Sequence, residues 1–463
     1  MGYKAYPEYK ESGLVFLGKI PSHWKTHRLS DIAEIITSNV DKKSLDSQET
    51  VRLCNYVDVY KNEKIDSSLN FMTATASDIE IKRFHLLSGD VIITKDSESP
   101  YDIGVPALVT ESAEDLLCGY HLSIVRPQKS TSGSFLFYSL HALTAAYQFS
   151  IAANGVTRFG LTTQGTKNIY ICVPTLMEQE RISALLNLKT TQIDRLINKK
   201  KELIEKLLEQ RTANITYALT KGRASNVVMK ESHIQWFDSL PSHWQIIRLK
   251  DLVIDAIAGP YGSSLTKSMY TNSGYRVYGQ QQVIPENFTI GDYYVSDEKY
   301  EEMQRYRTLP GDILISVMGT IGRAALVTDD AEPGIINPRL VLYRANKSII
   351  RPAYLKSFIN SLPSQNYFSL VAQGTTMEGI NMALIGELAV PVPPLHEQDE
   401  ILIAQQSQKA RLEKQIQTVA CAIARLQEYR SALITAAVTG QIDVRDWQAP
   451  EHTEPSSQDK DVA

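Results

Sequence analysis

One block of sequence is written twice in this chain, and that duplication limits the fold more than any local motif does. Pro21-Ser22-His23-Trp24 returns as Pro241-Ser242-His243-Trp244. Gly89-Asp90-Val91-Ile92-Ile93 returns as Gly311-Asp312-Ile313-Leu314-Ile315, and Gly104-Val105-Pro106-Ala107-Leu108-Val109 as Gly322-Arg323-Ala324-Ala325-Leu326-Val327. From about Phe135 onward the register is constant. Gly155, Leu161, Glu178-Gln179, Arg211 and Thr220 are matched 219 residues later by Gly374, Ile380, Glu397-Gln398, Arg430 and Thr439. Two copies of one unit imply two similar surfaces about an approximate two-fold axis. Such a molecule holds two of something at a fixed separation.

At 463 residues, 43% hydrophobic and 22% charged, the chain has material for two or more cored domains and is not a disordered protein. No run approaches the eighteen or so apolar residues of a membrane span, and the first ten residues, MGYKAYPEYK, lack the apolar core of a signal peptide. A cytoplasmic protein is expected, with no membrane partner. Cys54, Cys118, Cys172 and Cys421 are isolated from one another, so buried reduced thiols are expected rather than zinc ligands or disulfides. The net charge of −4 argues against a wholly basic nucleic-acid coat and leaves room for local basic faces.

Each copy divides into a mixed globular half and a long helical half. Asp90–Thr94 and Leu122–Arg126 read as strands, as do Asp312–Ser316 and Leu340–Tyr343 in the second copy. An amphipathic helical segment follows at Phe135–Ala153 and Tyr354–Ala372, then a Gly-containing loop and a last strand ending at Val173-Pro174 or Val392-Pro393. The fold class expected is α+β. Two repeated mixed α/β domains, 1–174 and 223–393, are joined by long helices at 175–222 and 394–440, and 441–463 form a disordered tail.

The helices follow from apolar spacing. Ile193, Leu196, Ile197, Leu203, Ile204, Leu207 and Leu208 make one stripe, and Leu412, Ile416, Val419, Ile423, Leu426 and Leu433 a second, in the manner of a coiled-coil seam. A stripe so long needs a partner of matching length, and each copy supplies one for the other. A forty-residue helix is ~60 Å long. Two of them packed antiparallel would act as a rigid spacer.

In this arrangement the chain resembles the specificity subunit of a Type I restriction-modification system over nearly its full length. The resemblance rests on the repeated Pro-Ser-His-Trp, the Gly-Asp strand, Met318-Gly319-Thr320-Ile321-Gly322, Gly374-Thr375-Thr376, Pro393-Pro394-Leu395-His396-Glu397-Gln398, and the helix ends Ala218–Gly222 and Ala437–Gly440. It implies a non-catalytic subunit whose two target-recognition domains each contact one half of a bipartite site on double-stranded DNA. It further implies docking of two modification subunits, which bind S-adenosylmethionine and methylate adenine, and of two restriction subunits with motor and nuclease domains. S-adenosylmethionine, ATP and Mg²⁺ would then belong to those partners, with no cofactor in this chain. The first copy departs from the pattern, with Asp96-Ser97-Glu98 in place of the Met-Gly-Thr turn and Pro174-Thr175-Leu176 in place of Pro-Pro-Leu.

Some residues invite chemistry of the chain's own. An adenine methyltransferase needs an Asn/Asp-Pro-Pro-aromatic loop around the flipped base, and Val392-Pro393-Pro394-Leu395 lacks both flanking residues. Gly319-Thr320-Ile321-Gly322 has no third glycine for a cofactor cradle and reads as a tight turn. Glu80-Ile81-Lys82 matches half of a metal-dependent nuclease motif but is not repeated. His23 and His243 recur beside tryptophans without a matching nucleophile, which suggests a packed corner. No catalytic or metal-binding residue is expected.

DNA contact would then come from loops, where Arg reads guanine and Asn or Gln reads adenine in the major groove. In the first domain the candidates are Arg52, Asn55, Thr157 and Arg158, the last two on the loop Asn154–Gly160. In the second they are Tyr261, Gly262 and Ser263, the run Gln280, Gln281 and Gln282, and Thr375 and Thr376. Arg158 stands opposite Met377, as expected where a repeated frame carries two different readers. The rival is a duplicated scaffold gripping protein or glycan with no DNA role, which the near-neutral charge mildly favours. A salt series separates the two, because phosphate-mediated binding weakens steeply as salt rises.

Overall fold

The computed structural model describes residues 3–43, 45–224, 226–372 and 379–448, and the chain divides into two compact units. One unit is the chain up to Lys200 together with the segment from Ala420 onward, and the other runs from Lys201 to Val419. The division cuts both long helices, which span Leu176–Lys221 and Leu395–Val438. Each unit therefore holds one globular domain, the start of one long helix and the end of the other. The packing differs in this from a linear division at 174, 222, 393 and 440.

In the first unit a five-stranded sheet has the order Ala33–Thr37, Leu122–Pro127, Val91–Thr94, Pro106–Val109, Lys64–Ile65. A four-stranded sheet beside it has the order Met72–Ala76, Glu49–Cys54, Ala113–Cys118, His85–Leu86. The second unit repeats the frame with Val253–Ala258, Leu340–Ala345, Ile313–Ser316 and Ala324–Leu326, and a smaller sheet of Tyr294–Val295, Tyr275–Tyr278 and Gly334–Ile336. The all-apolar runs at Val91–Ile93 and Ile313–Ile315 are fully buried, as strands covered on both faces must be.

The repeated motifs acquire physical reasons here. Asp90, 1% exposed, takes two hydrogen bonds from Arg126 at 2.8 and 2.7 Å, and Asp312 takes two from Arg344 at 2.9 and 2.9 Å. A buried carboxylate needs such a bidentate partner, so Gly-Asp recurs with its arginine. Gly104 and Gly322 have φ of +76° and +74°, and a Cβ at either would lie 2.5 or 2.3 Å from the ring of Phe149 or Phe368. Glu178 and Glu397 open the long helices and grip the repeated His-Trp pair. Glu178 Oε1 lies 2.9 Å from His23 Nε2 and accepts from Tyr6 and Trp24, and Glu397 lies 2.7 Å from His243 Nε2 and accepts from Trp244 at 2.9 Å. The neighbouring Gln179 and Gln398, both 0% exposed, accept from Ser132 N and Arg351 N and donate to Pro174 O and Pro393 O. The recurring histidines are corner posts.

The helix segments within each unit run antiparallel. In the first, Arg430 pairs with Asp194 at 3.0 Å while Arg181 donates to the carbonyl of Arg445, so one number falls as the other rises. In the second, Arg223 reaches Glu400 O at 3.4 Å and Leu207–Asn214 lie beside Gln408–Gln415. Each closing helix end meets a tryptophan: a Cβ on Gly440 would clash with Pro21 at 2.3 Å and lie 3.3 Å from Trp24, and one on Gly222 would lie 3.2 Å from Trp244.

Several expectations change. Only part of the apolar stripe is covered: Ile193 and Ile197 are buried, whereas Leu196, Leu203 and Leu208 are each more than 40% exposed. The single helices expected at Phe135–Ala153 and Tyr354–Ala372 are each two, Gly133–His141 with Leu143–Ala152, and Pro352–Ile359 with Leu362–Ala372. Pro363 suits only the first turn of a new helix, and the freed Leu143 N–H is taken by Thr435 Oγ1 at 3.1 Å. The tail expected to be disordered from 441 is packed as far as Trp447. Ile442 and Val444 are buried in the first unit's core, and Asp443 N donates to Lys4 O at 2.8 Å. Cys54, Cys118 and Cys172 are buried, but Cys421 is exposed on the second long helix. No helix among the described residues is long and apolar enough to cross a membrane.

Burial alone would raise the Glu178 carboxyl, but hydrogen bonds from His23, Thr175 and Tyr6 outweigh it and hold the group below the usual carboxylate range. A depressed carboxyl contributes stability that is complete above its unfolded value of about 4.3 and fades as pH falls through the folded value. Glu178→Gln should therefore lower stability at pH 7 by about 1–3 kcal/mol and flatten the acid limb. Denaturation midpoints between pH 3 and 7 check this; parallel profiles for the two proteins would count against it.

Candidate functional site

Strand register brings several loops to one end of each domain. In the second unit Ala258 faces Val341 and Ser316 faces Leu340, while Tyr278 runs beside Ile336 in the adjoining sheet. The segments leaving Ala258, Tyr278, Ser316 and Ile336 therefore emerge together. Gly259 donates to Leu340 O at 2.9 Å, Asn337 donates to Tyr278 O at 2.9 Å, and Gln280 Nε2 reaches Ser316 Oγ at 2.6 Å. The first unit has the same arrangement. Thr37 faces Ser123, Thr94 faces Leu122, Cys54 runs beside Cys118, and Gly119 N donates to Cys54 O at 2.8 Å.

The Gly-centred loop joins this end in both units. In the first, Asn154–Gly155 and Phe159–Gly160 form a hairpin whose second strand pairs Asp96 with Gly160 and Ser97 with Phe159. Met318 bridges Gly379 at the matching place in the second. Asp96-Ser97-Glu98 and Met318-Gly319-Thr320 thus occupy one structural position with different chemistry. Asp96 is a local hub: burial would raise its carboxyl, but Lys95 Nζ and His121 Nδ1, each 2.7 Å from Oδ2, hold it low.

The sequence-derived candidates fall into three groups. Thr157 and Arg158 lie exposed on the hairpin turn, and no described residue pairs with the Arg158 side chain. Tyr261, Gly262 and Ser263 are exposed as well, with Tyr261 at 73% and Gly262 at φ +64° with open space around it. Gln281 is exposed beside them. The first two lie at the loop end of the first domain and the other four at the loop end of the second.

A second group is occupied by the fold. Arg52 is clamped by Asp115 through bonds of 2.7 and 2.7 Å and lies over Phe71; the register places Arg276 at the same point, paired with Glu332 over Tyr294. Asn55 precedes the short helix Tyr56–Lys61, with its amide donating to Leu53 O and its backbone N–H held by Asp58. Gln282, 0% exposed, bonds Gly279 N and Ile290 O at 2.9 and 2.9 Å. Gln280, half-buried, is held between Ser316 and the Met318 carbonyl. Thr375 and Thr376 lie outside the described residues.

The Glu80-Ile81-Lys82 and Gly319–Gly322 motifs serve the fold. Glu80 accepts from Ser77 N and Oγ at 2.9 and 2.7 Å in a capping box opening Asp78–Phe84. Gly319 and Gly322 take φ of +65° and +74° in a turn. Among the described residues no group of three or more His, Cys, Asp and Glu is gathered to hold a metal ion.

Sequence reasoning missed several residues at the loop end. His121 and Arg339 each stand immediately before the strand that starts at Leu122 or Leu340, so aligning the two copies strand by strand would have found them. Tyr120, 38% exposed, sets its ring centroid 3.6 Å from that of His121 at a tilt of 42°. In the second unit Lys267, Tyr270, Gln280, Gln281, Tyr293 and Arg339 border a cleft of about 430 Å³. Guanidinium, ammonium, amide and aromatic groups around an open cleft suit recognition of a polar, anionic partner, not bond-breaking chemistry.

The family model for the type I restriction modification DNA specificity domain matches twice, over residues 21–206 and 241–420. Both matches start at the proline of Pro-Ser-His-Trp. The candidate type I restriction enzyme MjaX specificity subunit of Methanocaldococcus jannaschii is 23% identical over 88% of this chain and 94% of its own. A solved chain described under complex assembly and conformational transition of the type I R-M system matches with TM-score 0.67 at 18% identity, covering 91% of this chain and 99% of that one. The HsdS subunit from Thermoanaerobacter tengcongensis gives TM-score 0.51 at 18% identity over 93% of this chain and 100% of its own.

The glutamine run separates by role. Gln282→Ala should cost about 1–3 kcal/mol of the second unit's stability, because it strands Gly279 N and Ile290 O. Gln281→Ala should leave stability within about 0.5 kcal/mol. Denaturant melts of the two variants check the assignment; equal stabilities would refute it.

Proposed function

The chain belongs to the family of type I restriction modification DNA specificity domains, which it carries twice, and from that membership we propose that it reads a bipartite DNA target, one half-site to each domain. One observation carries the reading: the same strands bring the same loops to the same end of each domain, and the loops differ in chemistry. Arg158 on its hairpin offers the first domain a donor for base edges and phosphates, beside the Lys95-Asp96-His121 cluster; Lys267, Gln281 and Arg339 offer the second a different set. Unlike readers on one frame suit two unlike half-sites. The scaffold alternative loses its ground once the family is known.

The partners are proposals of the same reading. Two modification subunits and two restriction subunits would join this chain and bring S-adenosylmethionine, Mg²⁺ and ATP, leaving recognition to the chain itself. The assembly would work in the cytoplasm, where its DNA lies. The chain contributes binding and orientation: loops fix the register of the duplex through phosphates, and base contacts select the sequence.

Arg158→Ala is the sharpest test. If Arg158 makes a bidentate base contact, the variant should bind the first domain's half-site about 1–3 kcal/mol more weakly and leave the other half-site unchanged. Titrations against DNA altered in either half, repeated over a salt series, measure this. A uniform loss on all sequences with a shallower salt dependence would make Arg158 a phosphate contact, and no change on any DNA would remove it from the interface.

A further inference from the structure

The long-helix segments of the two units occupy matching places in the repeat, yet one arginine is neutralised in the first unit and left unpaired in the second. Arg430, its side chain 11% exposed, pairs with Asp194 at 3.0 Å and Glu63 at 2.6 Å. Its counterpart 219 residues earlier is Arg211, and among the described residues no group bonds or pairs with the Arg211 guanidinium. The acids that could neutralise it are engaged elsewhere. Glu286 stands to Asn360 as Glu63 stands to His141, and its carboxylate is held by Lys356 at 2.5 Å. Glu413 matches Asp194 in the repeat and lies 3.9 Å from Lys409.

The positions around Arg211 have changed in one direction. Arg211 and Arg411, the latter unpaired as well, border an open cleft of about 280 Å³ between the helices, with Gln210, Asn214, Gln408 and Gln415 in its walls. The first unit carries Tyr429, Leu433 and Leu196 where Gln210, Asn214 and Gln415 stand, and Gln192 where Arg411 stands. Leu207 and Leu412 stay apolar, as Leu426 and Ile193 are, so the seam itself is kept. Three residues before Gln408, Gln405 replaces the buried Leu186, and two residues after Asn214 comes Thr216. Gln405 Nε2 and Thr216 Oγ1 are buried with no hydrogen-bond partner among the described residues. Helix pairs are held by apolar seams, so amides and guanidinium groups at these positions forgo burial that the first unit keeps.

Two guanidinium groups on one cleft repel each other, and no acidic residue lines the cleft to offset them. We propose that this cleft is an anion site for phosphoryl oxygens, in which a multiply charged phosphate does for Arg211 and Arg411 what Asp194 and Glu63 do for Arg430. The planar fork of arginine matches phosphate oxygens bidentately, and the amides donate to the oxygens that remain. A cleft of this size is too open for a monatomic anion and admits linked phosphates. Such phosphates belong to a free nucleotide or to a DNA backbone. The site lies on the long helices and not on the reading loops, so the proposal does not depend on which bases the domains select.

Inorganic pyrophosphate is the probe, titrated calorimetrically into the full chain at constant ionic strength and paired with thermal melts. The wild-type chain should bind it and melt higher in its presence. Arg211→Gln and Arg411→Gln should each weaken binding at least tenfold without lowering the melting temperature of the unliganded chain. Glu413→Gln should tighten binding, because it removes the carboxylate two residues from Arg411. Asn214→Leu with Gln415→Leu, which restores the first unit's residues, should raise the unliganded melting temperature and weaken binding. No binding by the wild-type chain, or equal binding by both arginine variants, overturns the proposal. So does a Glu413→Gln variant that melts lower without pyrophosphate and binds it no better, since Glu413 would then be the partner of Arg211. ATP and duplexes of unrelated sequence separate the two sources. Competition by ATP, with DNA affinity unchanged in the arginine variants, assigns the phosphates to a nucleotide. No competition, with equal loss of affinity on all duplexes and a shallower salt slope, assigns them to a DNA backbone. If neither pattern holds, the pyrophosphate is adventitious and the proposal falls.

Discussion

A single carboxylate at the start of each long helix fastens that helix to the domain it follows. Glu178 is 4% exposed and gathers Tyr6, His23 and Trp24, while Glu397 gathers His243 and Trp244. A carboxylate at a helix N-terminus is already favoured by the helix dipole. Binding to an indole N–H and an imidazole converts that local preference into a tertiary anchor. The same tryptophans receive the far ends of the helices at Gly440 and Gly222. Remove the carboxylate and both a helix start and the seat of a helix end lose their fixed point.

The helix starts also show how one function is reached by two chemistries. Thr175 caps the first helix with its hydroxyl 2.9 Å from Glu178, closing a reciprocal pair. Pro394 stands in that place before Leu395, where its fixed φ suits the entry to a helix and no N–H is wasted. The departure of Pro174-Thr175-Leu176 from the Pro-Pro-Leu wording is therefore a change of cap, and the Glu-Gln pair behind it is unchanged. A repeated frame tolerates such exchanges because its stability lies in buried groups. The loops at the open end are free of that constraint and have diverged.

How much of this was legible in the sequence depends on whether a residue's role is set by neighbours along the chain or across it. The duplication, the buried Gly-Asp strands and the long helices are carried by local pattern, and each is found where the pattern put it. The His-Trp corner was legible as packing because no nucleophile recurred with it. Arg52 and Gln282 look like readers in a linear text, yet one is claimed by Asp115 and the other by Gly279 and Ile290, partners that only the sheet brings near. The packed tail at Ile442 and Val444 was missed for the same reason, since its core belongs to the opposite end of the chain. His121 and Arg339 were missed although the repeat contained the signal: each is the residue before a repeated strand.

The central claim is that one chain reads two unlike DNA half-sites, one with each domain. Selection from random-sequence duplexes by the assembled complex, followed by sequencing of the bound pool, tests it most directly. The account predicts two short specified blocks of different sequence separated by a gap of fixed length and no base preference. A single uninterrupted site, or two identical blocks, or a pool with no enriched sequence, would contradict it.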